Sequence, residues 1–230
     1  MRPRLLIVGL SLLALTAGTA NADPIASLYN TGVDNNHNAL ATNANPLVAD
    51  PHYSITGTNP NATYPVVYTY GSPWVPNETN PAAQWISPNN PGQNGQINGT
   101  YSYTTHFDLS TGANPLTASI TGKFAADDII TAILLNGSAV GVAVVGGVPT
   151  GYPSYDKWFD FTISSSANFV AGDNKLEFVS ANTHNVVTGL IVQMSGTYTA
   201  VPEPASVTVA ALGAAGFALM SLRRRRKASA

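Results

Sequence analysis

No cysteine occurs in the 230-residue chain. Disulfides, thiolate metal ligands and thiol nucleophiles are excluded together, so any domain must rest on its own core. Charge is scarce as well. Asp, Glu, Lys and Arg make up 10% of the residues, well below the ~25% of ordinary soluble domains. Asn, Thr, Ser and Gly carry the polarity instead, a composition familiar in extracellular β-rich proteins. Between residues 23 and 201, Lys123, Lys157 and Lys175 stand against eleven carboxylates, a balance of −8. That balance argues against nucleic acid and against anionic lipid surfaces, both of which are held by cationic contacts to phosphate. It suits a neutral polyol or a divalent cation better.

Catalytic signatures are missing too. His37, His52, His106 and His184 are scattered, with no His-Glu-x-x-His pair and no ligand spacing. There is no Gly-x-Ser-x-Gly elbow. Carboxylates such as Asp156 and Asp160 cannot be singled out as a glycosidase pair on spacing alone. The expectation is a protein that is not an enzyme.

What is present begins at the two ends. Arg2 and Arg4 precede an apolar stretch from Leu5 to Gly18, and Ala20-Asn21-Ala22 places small residues at both positions a signal peptidase reads. Residues 1–22 therefore read as a secretory signal helix cut before Asp23, an N-terminal anchor being the alternative. At the other end, Val201-Pro202-Glu203-Pro204 precedes an uncharged run, Ala205 to Leu222, followed by Arg223, Arg224, Arg225, Arg226 and Lys227. Eighteen helical residues at ~1.5 Å each cover about 27 Å, near the ~30 Å hydrocarbon core. The cations resist translocation, so the body is expected on the far side of the inner membrane.

This order of Pro-Glu-Pro, short transmembrane helix and terminal arginine cluster resembles the PEP-CTERM sorting signal. The resemblance covers residues 201–230: motif 201–204, helix 205–222 and basic tail 223–227. It implies an exosortase as partner, the inner membrane before processing, and then the envelope or matrix of a Gram-negative bacterium that makes exopolysaccharide. A plain single-pass anchor is the other reading.

The body, residues 23–200, has the length of one domain. Residues 30–100 are punctuated by Asn-Pro, Asn-Asn and Asn-Gly turns, with short extended pieces expected at 26–29, 52–56 and 65–70. Strand signals then strengthen. Tyr101, Tyr103, Thr105, Phe107 and Leu109 share one face, as do Leu116, Ala118, Ile120, Gly122 and Phe124. Ile129 to Leu135 ends at Asn136-Gly137, a type I′ hairpin signal leading into 139–145. Segments 158–163, 175–181 and 189–198 complete the set, with Leu176, Phe178 and Ser180 turned inward and Asp160 outward. The pattern predicts an all-β, antiparallel sandwich.

Residues 124–145 and 158–182 carry a further likeness. Phe-Ala-Ala-Asp-Asp, a strand ending Leu-Leu-Asn-Gly, and then Phe-Val-Ala-Gly-Asp-Asn-Lys-Leu before Glu-Phe-Val-Ser-Ala-Asn resemble the galactose-binding-like β-jelly-roll. That family implies carbohydrate binding, here of an exopolysaccharide or other glycan.

Two sets of side chains are candidates for ligand chemistry. Trp74, Trp85, Tyr152 and Tyr155 sit in or beside loops, where a ring stacks on the apolar face of a sugar or else caps the core. For Trp158 a core cap is the expected role. Asp127 and Asp128 are adjacent carboxylates at a strand entrance that offer oxygens to Ca²⁺, or else form a solvated turn. Asp34-Asn35-Asn36 is a second oxygen-rich loop.

Overall fold

A computed structural model describes residues 22–59, 64–88, 97–140, 154–164, 167–183, 185, 187–200 and 212–213. In chain order the strands are β1 (Ala22–Pro24), β2 (Tyr53–Gly57), β3 (Pro65–Tyr68), β4 (Glu78–Thr79), β5 (Ala82–Ala83), β6 (Trp85–Pro88) and β7 (Gly99–Leu109). There follow β8 (Ala113–Asp127), β9 (Ile129–Leu135), β10 (Ser138–Ala139), β11 (Ser154–Ile163), β12 (Gly172–Asn182) and β13 (Gly189–Ala200). All pairings are antiparallel.

The protein is an antiparallel β-sandwich. One sheet runs β11-β8-β13-β6-β3 with β1 also on β13, and the other runs β10-β9-β12-β7-β2. The long strands β7, β8, β9, β11, β12 and β13 alternate between the sheets as the chain advances, so each connection crosses the sandwich. The small β4-β5 hairpin stands apart.

Period-two alternation builds the core between the layers. Tyr101, Tyr103, Phe107, Leu109, Leu176 and Phe178 enter it from the five-stranded sheet, and Ala118, Ile120, Phe124, Phe161 and Val192 from the other. Phe178 meets Phe161 edge-on at 5.7 Å between ring centres and Phe124 at 6.3 Å, joining the layers. Asn136 and Gly137 take φ of 53° and 78° between the paired residues Leu135 and Ser138, the geometry a type I′ turn requires.

Several local expectations change. Leu116 is 77% exposed rather than inward. The Asn114 side chain accepts the Leu116 N–H, the Thr117 hydroxyl donates to the Asn114 carbonyl, and the β8–β13 register shifts nearby, so the alternation breaks before Ala118. Residues 26–29 form a turn and not a strand. The chain still runs beside β13: Ile25 donates to Gly196, Thr31 donates to Val192, and the Asn30 side chain accepts the Met194 N–H. The expected strand at 139–145 is seen only as Ser138–Ala139, and residues 141–153 lie outside the described residues.

Ala22 opens β1 opposite Thr199. Ala20, Pro202, Glu203, Pro204 and Arg223 to Arg226 lie outside the described residues. Among the described residues no helix is long and apolar enough to cross a membrane.

Candidate functional site

The outer face of the six-stranded sheet is partly covered by a strap, residues 69–84. Three contacts anchor the strap to three different strands. The Val75 N–H donates to the Tyr155 carbonyl on β11 at 2.8 Å. Lys123 on β8 pairs with Glu78 at 2.9 Å, and the Gln193 amide on β13 donates to the Pro81 carbonyl at 2.8 Å.

Between the strap and the sheet lies a second apolar cluster, Val75 and Ala83 of the strap with Trp85, Ala125 and Ile191 of the sheet, flanked by Tyr70, Trp74, Tyr155 and Trp158. Ala125 and Ile191 alternate with core residues, which places them on the outer face. The structure thus brings together Trp74, Trp85 and Tyr155, three of the four rings singled out for sugar stacking. Tyr152 lies outside the described residues.

The rings play unequal parts. Trp85 is wholly buried and its indole N–H donates to the Val75 carbonyl at 2.7 Å, so it is the floor of the cluster and offers no face to a ligand. Trp74 stacks on Tyr70 at 3.8 Å and on Tyr155 at 4.9 Å, and meets Trp85 edge-on. Trp158, expected as a cap on the core, stands instead on the outer face, half-buried, with Lys123 Nζ 4.3 Å from its ring centre.

Where the strap ends, a groove of about 420 Å³ opens along the sheet. Its floor is built from two cross-strand rows set by the β11–β8 and β8–β13 registers. Asp160, Lys123 and Gln193 form one row and Thr162, Thr121 and Ser195 the next, with Pro81 forming a wall. A second hollow of about 550 Å³ shares Pro81, Met194 and Ser195 with it and extends to Pro24, Asn38 and Thr79. The whole is a polar trough floored by hydroxyls and an amide, with Trp158 against its lysine.

Sequence reasoning found the rings but missed this floor. Its signal was present as the outward half of the alternation in β8, β11 and β13, where Thr121, Lys123, Asp160, Thr162, Gln193 and Ser195 fall every second residue. Only the register shows that they line up.

Asp127 and Asp128 stand elsewhere, at the corner where the chain passes from β8 in one sheet to β9 in the other. They are not a solvated turn, being 3% and 0% exposed. Packing against both sheets buries them. Asp128 Oδ2 accepts the Thr183 N–H at 2.5 Å and the Thr183 hydroxyl at 2.6 Å. Burial, and then the neighbouring Asp128 carboxyl, push Asp127 up to about 8. Asp34 is a closed turn, its Oδ1 accepting the N–H groups of Asn36 and Asn38, which lowers its pKa. His37 and His52 stack on Tyr29, and burial lowers the pKa of His52.

Compared with protein-family models, with curated proteins and with solved structures, the chain matches none.

Proposed function

We propose that this is an exported, non-enzymatic glycan-binding module, sorted to the cell envelope by its C-terminal tail and associated there with extracellular polysaccharide. The observation that carries the reading is the double row Asp160–Lys123–Gln193 and Thr162–Thr121–Ser195 flanked by the Trp158 ring. Hydroxyl, amide and charged groups spaced across neighbouring strands fit the hydroxyls of a sugar, and an indole face fits its apolar side. Glu78 neutralises Lys123, so the trough favours neutral glycans over polyanions. The two adjoining hollows suit an extended chain over a monosaccharide. Among the described residues lining the main groove Asp160 is the one carboxylate, where glycoside hydrolysis uses two. The galactose-binding-like residues around Asp127-Asp128 and Gly172-Asp173-Asn174 support the same assignment.

Sorting rests on Pro202-Glu203-Pro204, the run to Leu222 and Arg223 to Arg226, with an exosortase as the partner. The test has two arms. A glycan array followed by calorimetry on the full chain in detergent is expected to find a neutral oligosaccharide whose binding falls at least tenfold in Thr121→Val and Gln193→Ala. No binding to any neutral glycan sinks the module. Deleting residues 223–227 or changing the Pro-Glu-Pro motif is expected to alter mass and localisation, and unchanged values leave a plain anchor. A second reading, a structural matrix component without a ligand, draws on Trp74 and Trp85, whose rings are engaged by their neighbours.

A further inference from the structure

The body's two chain ends lie together. β1 starts at Ala22 opposite Thr199, and β13 runs out to Ala200 opposite Ala113, the first residue of β8. Three turns gather at the same end of the sandwich. The Tyr198 hydroxyl donates to Ser110 Oγ at 3.1 Å, tying the turn after β7 to β13. The Asn136 side chain donates to the Asn168 carbonyl at 2.7 Å, joining the β9–β10 turn to the loop before β12. That loop ends at Gly172, which pairs with Leu109, the last residue of β7.

The sequence of this end is uncharged. Residues 110–117, 136–138, 164–172 and 196–201 contain no Asp, Glu, Lys, Arg or His. The nearest carboxylates, Asp23, Asp108 and Asp173, stand behind the turns on β1, β7 and β12. Two large apolar side chains are exposed here, Leu116 at 77% and Val170 at 46%. Leu116 lies in the irregular start of β8, three residues from Ala113, where its N–H donates to the Asn114 side chain. Val170 stands two residues before Gly172, with its N–H donating to the Asn174 side chain. The other exposed large side chains of the body, Tyr64 and Ile97, are at the far end. A lone exposed leucine is ordinary. Here its place decides.

We propose that this end of the sandwich rests on the lipid bilayer that the C-terminal tail enters, with Leu116 and Val170 dipping into the headgroup zone. Only Val201, Pro202, Glu203 and Pro204 separate Ala200 from the uncharged run that starts at Ala205. Five steps of ~3.5 Å reach about 17 Å at most, against a headgroup layer of roughly 5–8 Å on each side of the core. Strands such as β7, eleven residues long, put the far end roughly 35 Å further off. The tether therefore brings this end to the bilayer and keeps the far end away from it. Apolar side chains gain by entering the interface, and Tyr198, half-buried beside the turn, is of a residue type enriched there. The inference rests on the reading of the tail as a membrane helix and is independent of glycan binding. The trough lies on a sheet face and stays open to solvent.

Because the chain has no cysteine, a single cysteine can carry a fluorophore at a chosen place. Thr111→Cys labels the turn at this end and Thr100→Cys the far end, both at exposed positions. The full chain is reconstituted into phosphatidylcholine vesicles that carry a quencher on the lipid headgroup. The Thr111 label is expected to be quenched about threefold more than the Thr100 label, as an interfacial depth of ~5–10 Å requires. Adding Leu116→Asn and Val170→Asn is expected to lower the Thr111 quenching to the Thr100 level. The melting temperature should stay within about 2 °C, since exposed side chains contribute little to stability. Equal quenching of the two labels, in chains that float with the vesicles, overturns the inference and leaves the tail reading standing. Unchanged Thr111 quenching in the doubly substituted chain also overturns it, because the tether alone then holds the end down. Chains that fail to float with the vesicles overturn the tail reading and this inference together.

Discussion

Lys123 Nζ rests 4.3 Å from the centre of the Trp158 ring while its other side meets Glu78. The lysine thus pins a half-buried indole beside the polar trough and ties it to the strap. Trp158→Ala is expected to weaken oligosaccharide binding at least tenfold, about 1.4 kcal/mol. The melting temperature should change little, since the ring lies outside the inter-sheet core. Calorimetric titration beside a melting curve measures both, and unaltered affinity removes the ring from the site.

Gly122 sits in mid-strand between the two polar rows. A Cβ there would run first into the backbone carbonyl oxygen of Gln193 on β13, and would lie 2.7 Å from Met194 Cβ and 2.8 Å from Phe161 Cε1. Gly122→Ala is expected to destabilise the domain by ~1–3 kcal/mol, the usual cost of overpacking a core. Urea unfolding reads this directly, and a neutral result would mean that the β13 backbone at Gln193 and Met194 shifts at little cost.

The Trp85 indole N–H satisfies the carbonyl of Val75 within the strap. Trp85→Phe keeps most of the apolar contact and removes the donor, at a cost of ~1–3 kcal/mol for the orphaned carbonyl. Because Val75 belongs to the strap, cleavage within 69–84 should rise under limited proteolysis. An unchanged digestion pattern would detach the strap from this bond.

Asp50 is 4% exposed and burial pushes its pKa up to about 6, against the backbone N–H groups of Gly32, His52 and Tyr53 that favour the ionised form. The native state therefore holds this proton more tightly than the unfolded chain. The contribution is fully present below pH 3.8 and is lost as pH rises to about 6. Its full size is about 3 kcal/mol. The difference in stability between the unaltered protein and Asp50→Asn should change by that order between pH 4 and pH 6 and stay level above. A level difference across the whole range would mean that the backbone donors outweigh burial.

The strands were the most legible part of the chain. In β7 the alternation of Tyr101, Tyr103, Phe107 and Leu109 requires only that one face be dry, and all four are buried. Asn136-Gly137 was equally plain, because positive φ at two successive residues demands that pair. Leu116 misled because a side-chain bond from Asn114 interrupts the period, an event that apolar spacing does not register. Asp127 and Asp128 misled for a related reason. Two carboxylates look like surface until the chain is seen to turn a corner there between two sheets.

Composition and period by themselves determined that this body has no disulfide, carries a negative balance and is a sandwich of antiparallel strands. These follow from residue type and from a two-residue repeat, both of which are local. The trough was decided by tertiary structure alone. Asp160 and Gln193 are 37 and 70 residues from Lys123, their common neighbour in the row, and the three meet only through the registers of β11, β8 and β13. Register is a collective property of paired strands, and a one-residue slip would turn every one of these side chains to the other face.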